Sequence, residues 1–95
     1  MEEQKIIDIL VERGFNPKNA SLVAKDLLNI SPDLSGKVGS WLSNENNQED
    51  ANAEGYSVRY FQNSFGMSYP AALLTIDWLK KDPENALKSI SKGLR

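Results

Sequence analysis

Apolar residues recur at helical spacing along most of this chain. Over residues 3–13, Ile6, Ile7, Leu10 and Val11 share one face, Ile9 lies at its border, and Glu2, Glu3, Asp8 and Glu12 fall mainly opposite. That period predicts an amphipathic helix, and Gly14, which takes positive φ cheaply, ends it. Asn16-Pro17 is a start signal, a capping side chain followed by proline at the first helical position. It opens a second helix to about Asn29, with Ala20, Val23, Ala24, Leu27 and Leu28 in phase. Ser31-Pro32-Asp33 repeats the signal, and Leu34, Val38, Trp41 and Leu42 continue as a stripe at i, i+4, i+7, i+8. Gly36 and Gly39 weaken this third helix by up to about 1 kcal/mol each. Their expected compensation is a close approach between helices.

The second half reads the same way. Ser57 caps a helix to about Phe65 with Val58, Phe61 and Phe65 on its stripe, and Gly66-Met67-Ser68 makes a turn. Ser68 or Tyr69, before Pro70, opens a helix to Lys81, with Ala72, Leu73, Ile76 and Leu79 facing inward and Leu74 and Trp78 widening the stripe. Asp82-Pro83-Glu84 starts the last helix, which carries Ala86, Leu87, Ile90 and Leu94 and ends on Lys88, Lys92 and Arg95, where positive charge suits the helix dipole. Residues 43–55 have no large apolar side chain, so they read as a mobile acidic loop or linker. No segment alternates with period two, and no sheet is expected. The expected fold is all-α, with five to six short helices. They form either two three-helix units (residues 1–43 and 57–95, joined by 44–56) or one small bundle without internal symmetry.

The two halves also resemble each other. Ile6, Ile9, Gly14, Ala20, Leu22, Leu27, Val38 and Leu42, moved by 52 positions, become Val58, Phe61, Gly66, Ala72, Leu74, Leu79, Ile90 and Leu94. Both third helices open on proline and an acid, one residue out of register. The shared positions read mainly as core, so a duplication would speak to architecture first.

Composition narrows the chemistry. The chain has 95 residues with no cysteine and no histidine, and a formal charge of −2. Disulfides and thiolate metal sites are excluded, and the commonest general base and metal ligand is missing. Serines have no histidine partner to activate them. The acids Glu2, Glu3, Glu12, Glu45, Glu49, Asp50 and Glu54 read as solvated surface, and Glu45–Glu54 lacks the glycine turn and ligand spacing of a calcium loop. The expectation is a non-enzymatic protein with no cofactor and no metal. The charge balance offers no global attraction to nucleic acid or anionic lipid. No apolar run approaches the roughly 20 residues of a membrane span, and no signal peptide is read at the start, so a cytoplasmic location is expected.

The sequence Gly14-Phe15, Ala20, Leu27-Leu28, then a capped helix ending in Trp41-Leu42, resembles ubiquitin-associated (UBA) domains. The second half is similar through Gly66-Met67, Ala72-Leu73, Asp82-Pro83-Glu84-Asn85-Ala86 and Ile90. The resemblance implies three compact helices per unit and an apolar docking patch at the Gly-Phe turn and the end of the third helix. That patch would comprise Gly14, Phe15, Trp41 and Leu42, with Gly66, Met67, Ile90 and Leu94 in the second half. Arg13 and Phe65 stand where the family has methionine. Helical spacing argues instead that Phe15, Trp41, Ile90 and Leu94 are core anchors, while Met67 sits in a turn and suits a surface contact.

Residues 57–81 also resemble a helix-turn-helix. That resemblance would place Ser68, Tyr69, Ala71 and Thr75 at base edges, with Arg59, Lys80 and Lys81 on phosphates. The reading helix has no Arg, Lys, Asn or Gln before Lys80, the side chains that make bidentate base contacts. The sequence therefore supports a protein–protein interaction module with an unidentified protein partner, docking near Gly14, Phe15, Gly66, Met67 and Tyr69. DNA binding through Arg59, Ser68, Tyr69, Lys80 and Lys81, and self-association through Tyr69 and Trp78, are the alternatives.

Overall fold

The computed structural model describes residues 2–94. The order of elements is α1 (Glu3–Glu12), α2 (Pro17–Leu28), α3 (Pro32–Ser43), β1 (Asn52–Ala53), β2 (Tyr56–Ser57), α4 (Val58–Phe65), α5 (Tyr69–Lys81) and α6 (Pro83–Ser91). They form two compact units, Met1–Gln48 and Glu49–Arg95. The division falls within the polar stretch between the third and fourth helices.

In the first unit, α2 opens where proline fixes φ and Asn16 Oδ1 accepts the Asn19 N–H at 2.8 Å. At the end of α1 the chain reverses through Gly14 at φ 103°. The Phe15 N–H donates to Leu10 O at 3.0 Å and the Gly14 N–H to Val11 O at 3.1 Å, so the last carbonyls are satisfied as the chain turns. Ile6 and Leu10 pack with Ala20, Ala24, Leu27, Ile30, Leu34, Val38, Trp41 and Leu42 in the core. Ala20 and Ala24 are fully buried, and their small side chains let α1 and α2 lie close. The inward face of α1 is narrower than its apolar stripe: Ile7 and Ile9 are half-buried and Val11 is exposed. A Cβ at Gly36 or Gly39 would meet nothing within 4 Å. The close helix approach expected at these glycines is therefore absent.

The second unit corrects the expectation of no sheet. Asn52 pairs with Ser57 and Ala53 with Tyr56 in an antiparallel hairpin. Glu54 at φ 52° and Gly55 at φ 82° form its two-residue turn, with positive φ at both centres matching the twist of the strands. Two-residue strands are too short to show alternation, and a Glu-Gly turn lacks the usual asparagine or aspartate signal. The stretch is also tied inward. Ala51 is buried, and the Val58 N–H donates to Ala51 O at 3.0 Å. Residues 49–57 thus belong to the folded second unit.

Helix α4 follows the hairpin directly, capped by Ser57 Oγ on the Tyr60 N–H at 3.1 Å. Ser68 Oγ caps α5 through the Ala71 N–H at 3.3 Å. Helix α5 is the central element of this unit: Tyr69, Pro70, Ala72, Leu73, Ile76, Asp77 and Leu79 are all buried. Val58 and Phe61 cover it from α4, and Ala86 and Ile90 from α6. Helix α6 stops at Ser91, short of Leu94, because the Leu94 N–H folds back to Ser89 O at 2.7 Å and Gly93 takes φ 77°. Lys88 and Lys92 lie at this end, and Arg95 is outside the described residues.

Candidate interaction surfaces

The first unit carries an open apolar groove of about 220 Å³. Ile6 of α1, Leu27 and Leu28 of α2, and Val38, Gly39 and Leu42 of α3 line it, with Ser35 at its edge. None of these side chains titrates. Leu28 stands on the rim with 46 % of its surface exposed, while Ile6 and Leu42 are buried walls. The absence of a side chain at Gly39 leaves part of this space open.

The turn after α1 is built differently from an open apolar patch. Gly14 is exposed and Phe15 half-buried. Arg13 folds across the end of α3: its Nη1 donates to Trp41 O and its Nη2 to Leu42 O, both at 2.8 Å. Its guanidinium carbon lies 4.6 Å from the Trp41 ring centroid. Glu45 approaches Arg13 Nε at 4.0 Å. The cation thus satisfies two carbonyls at the negative end of the α3 dipole and covers the aromatic ring. Trp41 is buried, as helical spacing indicates. Of the four residues the resemblance implicates here, Gly14 and Phe15 reach the surface, and Leu42 reaches it only through the groove.

In the second unit Gly66 is exposed at φ 66° and Met67 is half-buried. The Thr75 hydroxyl lies 2.9 Å from Ala71 O and 3.6 Å from Met67 Sδ. Its single proton goes to the carbonyl, the stronger acceptor, and the sulfur is a packing contact. Tyr69 was expected at the surface and is not there. It is 3 % exposed, and its hydroxyl donates to Glu49 O at 2.9 Å, tying the start of the hairpin to α5. Burial, and then the negative charge of Glu49, raise its pKa above the usual value of 10. The aromatic ring next to Pro70 points into the core because it lies on the same face as Leu73 and Ile76.

The residues offered to DNA are dispersed in role. Ser68 is exposed but occupied as a helix cap. Arg59 is exposed, with Nη1 donating to Gln62 Oε1 at 3.0 Å. Lys80 is exposed, and Lys81 Nζ pairs at 2.8 Å with Asp77, whose side chain is buried. The N-terminal half of α5, which would have to enter a groove of DNA, is core. Trp78 remains 36 % exposed at the far end of the helix.

Sequence reasoning missed a second surface. Tyr56, Tyr60, Phe61 and Phe65 form one aromatic cluster, with neighbouring centroids 5.4–5.9 Å apart. Phe61 is buried beneath it and Tyr60 is 42 % exposed. The i, i+4 spacing of Tyr56, Tyr60 and (one residue later) Phe65 was the available signal, hidden because Tyr56 precedes the helix. Among the described residues no group of three or more acidic side chains could hold a metal ion, and no helix is long and apolar enough to cross a membrane. Comparison with protein-family models, with curated proteins and with solved structures returns no match.

Proposed function

We propose that this chain is a non-catalytic protein-interaction module whose first unit receives apolar side chains of a partner in the groove beneath Leu28. The observation that carries the reading is the groove itself: about 220 Å³, walled by aliphatic side chains and open at an exposed leucine. Small-molecule sites usually run from about 300 to 1,000 Å³ and include polar groups that fix orientation. This space is smaller, and Ser35 at its edge is the one polar side chain in its lining, which favours one or two aliphatic side chains from an amphipathic helix. Burying them is worth about 1.5–3 kcal/mol each, and association entropy offsets much of that. The affinity from this burial alone is therefore weak, about millimolar.

Catalysis is disfavoured by the lack of histidine and cysteine and by the occupied state of the buried polar groups. DNA binding is disfavoured because α5 serves as the core helix of its unit, and because Lys81 would have to leave Asp77 to reach a phosphate.

The test is titration of the isotope-labelled chain with a designed amphipathic helical peptide carrying leucines at i, i+3, i+4 and i+7. Saturable shifts at Ile6, Leu28, Gly39 and Leu42, abolished by Leu28→Glu with unchanged melting, support the reading. No saturable shift at these residues refutes it.

A further inference from the structure

The groove of the first unit owes its shape to where α3 ends. Ile6 of α1 and Leu42 of α3 are buried walls of that space, on different helices. The short link from Asn29 to Ser31 joins α2 to α3 and holds the start of α3 near α2. Leu42 lies far from that link, about 15 Å along the helix from Pro32 at the usual rise per residue. Trp41 and Leu42 are buried, which draws this end inward. Burial is non-directional, however, and leaves a helix end free to slide.

Arg13 supplies the direction. Ile6 and Arg13 are about two helical turns apart along α1, so they stand on the same side of it. The Arg13 fork reaches the Trp41 and Leu42 carbonyls at 2.8 Å each. Both carbonyls belong to the last turn of α3, where the helix itself offers no N–H. One of them is the carbonyl of the wall residue Leu42. N–H donors fixed on a planar group set angle as well as distance. Arg13 does not line the groove, so it acts there through the position of Leu42.

We propose that Arg13 is a positioning residue that sets the specificity of the groove. By pinning the Leu42 end of α3 to the end of α1, it holds the Ile6–Leu42 wall at a width that takes aliphatic side chains and resists aromatic ones. The inference rests on the reading of the groove as a docking site. A wall that is held cannot back away from a larger side chain, and the misfit is penalised as overpacking. A released wall gives way. Lysine at position 13 satisfies one carbonyl at a time and holds the wall only in part.

The experiment has two readouts on the full chain, taken where every variant is folded. The first needs no peptide: NMR order parameters of the Leu42 and Leu27 methyl groups. Arg13→Ala lowers the order of Leu42 and leaves Leu27, the wall on α2, unchanged, and Arg13→Lys lies between. Asn16→Ala, which removes the cap of α2 and destabilises the unit away from this wall, leaves Leu42 unchanged. The second readout is titration with two amphipathic helical peptides that differ only in carrying leucine or phenylalanine at the docking positions. Relative affinity shifts toward phenylalanine about threefold in Arg13→Ala, less in Arg13→Lys and not at all in Asn16→Ala. Unchanged order of Leu42 in Arg13→Ala, equal loosening of Leu27, the same effects in Asn16→Ala, or an unshifted preference beside a loosened wall would overturn the proposal. Failure of both peptides to bind the parent refutes the docking reading instead, and the order parameters still decide whether Arg13 holds the wall.

Discussion

Replacing Arg13 by alanine removes the side chain that satisfies the Trp41 and Leu42 carbonyls at the C-terminal end of α3. Three interactions go together: two hydrogen bonds of 2.8 Å to the carbonyls of Trp41 and Leu42, and the stacking of the guanidinium on Trp41. A hydrogen bond to a charged group is worth about 1.5–3 kcal/mol net, and a cation–π contact about 0.5–1 kcal/mol where water has access. The Arg13 side chain is 17 % exposed, so water reaches the carbonyls once it is gone and recovers part of the loss. We expect Arg13→Ala to destabilise the first unit by about 2–3 kcal/mol, or roughly 10–20 °C in Tm. Lysine carries the charge but not the planar fork, and it satisfies one carbonyl at a time. Arg13→Lys should cost about half as much. Glu45, with its side chain 66 % exposed and 4.0 Å away, adds little, and Glu45→Ala should stay within about 0.5 kcal/mol of the parent. The assay is urea unfolding followed by Trp41 emission in a Trp78→Phe background, which makes the first unit the sole reporter. Arg13→Ala within 0.5 kcal/mol of the parent, or Arg13→Lys indistinguishable from it, would refute the role given to the fork.

Further outcomes follow from the second unit and the α3 glycines. Gly36→Ala and Gly39→Ala should each raise stability by up to about 1 kcal/mol, because helix propensity improves and the new methyl meets nothing. Gly39→Ala should also narrow the groove and weaken peptide binding, whereas Gly36→Ala should not. Tyr69→Phe should cost about 0.5–1.5 kcal/mol at neutral pH through the lost bond to Glu49 O. The raised pKa of Tyr69 means that its contribution is complete below about pH 10 and lost as pH rises through the folded value. The parent should therefore lose stability above pH 10 more steeply than Tyr69→Phe, as equilibrium unfolding at several pH values would record. Asp77→Ala should remove the 2.8 Å ion pair to Lys81, whose side chain is 49 % exposed and remains hydrated, and cost about 1 kcal/mol by equilibrium unfolding.

The starts of the helices were legible because four of them are written in local chemistry. Asn16-Pro17, Ser31-Pro32, Ser68 before Pro70, and Asp82-Pro83 each fix φ at the first turn. The hairpin was not legible, since it rests on two residues per strand and on Ala51, whose burial depends on the fold around it. Which of Ile6, Ile7, Leu10 and Val11 enters the core depends on the width of the α2 face, and the pattern along α1 contains no such information. Tyr69 was misplaced because nearness to a turn was read as exposure, although its phase with Leu73 and Ile76 already pointed inward. Arg13 reaches carbonyls 28 and 29 residues away, and no local pattern reports such a bond. The groove is space left between three helices, so only its walls are written in the sequence, and they look like core.

The most direct test of the protein-binding account is the NMR titration of the full chain with the leucine-striped helical peptide, run in parallel on the parent and on Leu28→Glu. The account predicts saturable shifts confined to the groove around Ile6, Leu28, Gly39 and Leu42 in the parent, and none in Leu28→Glu at equal thermal stability. Saturable binding that is the same in both proteins, or no binding to the parent at millimolar peptide, would contradict it.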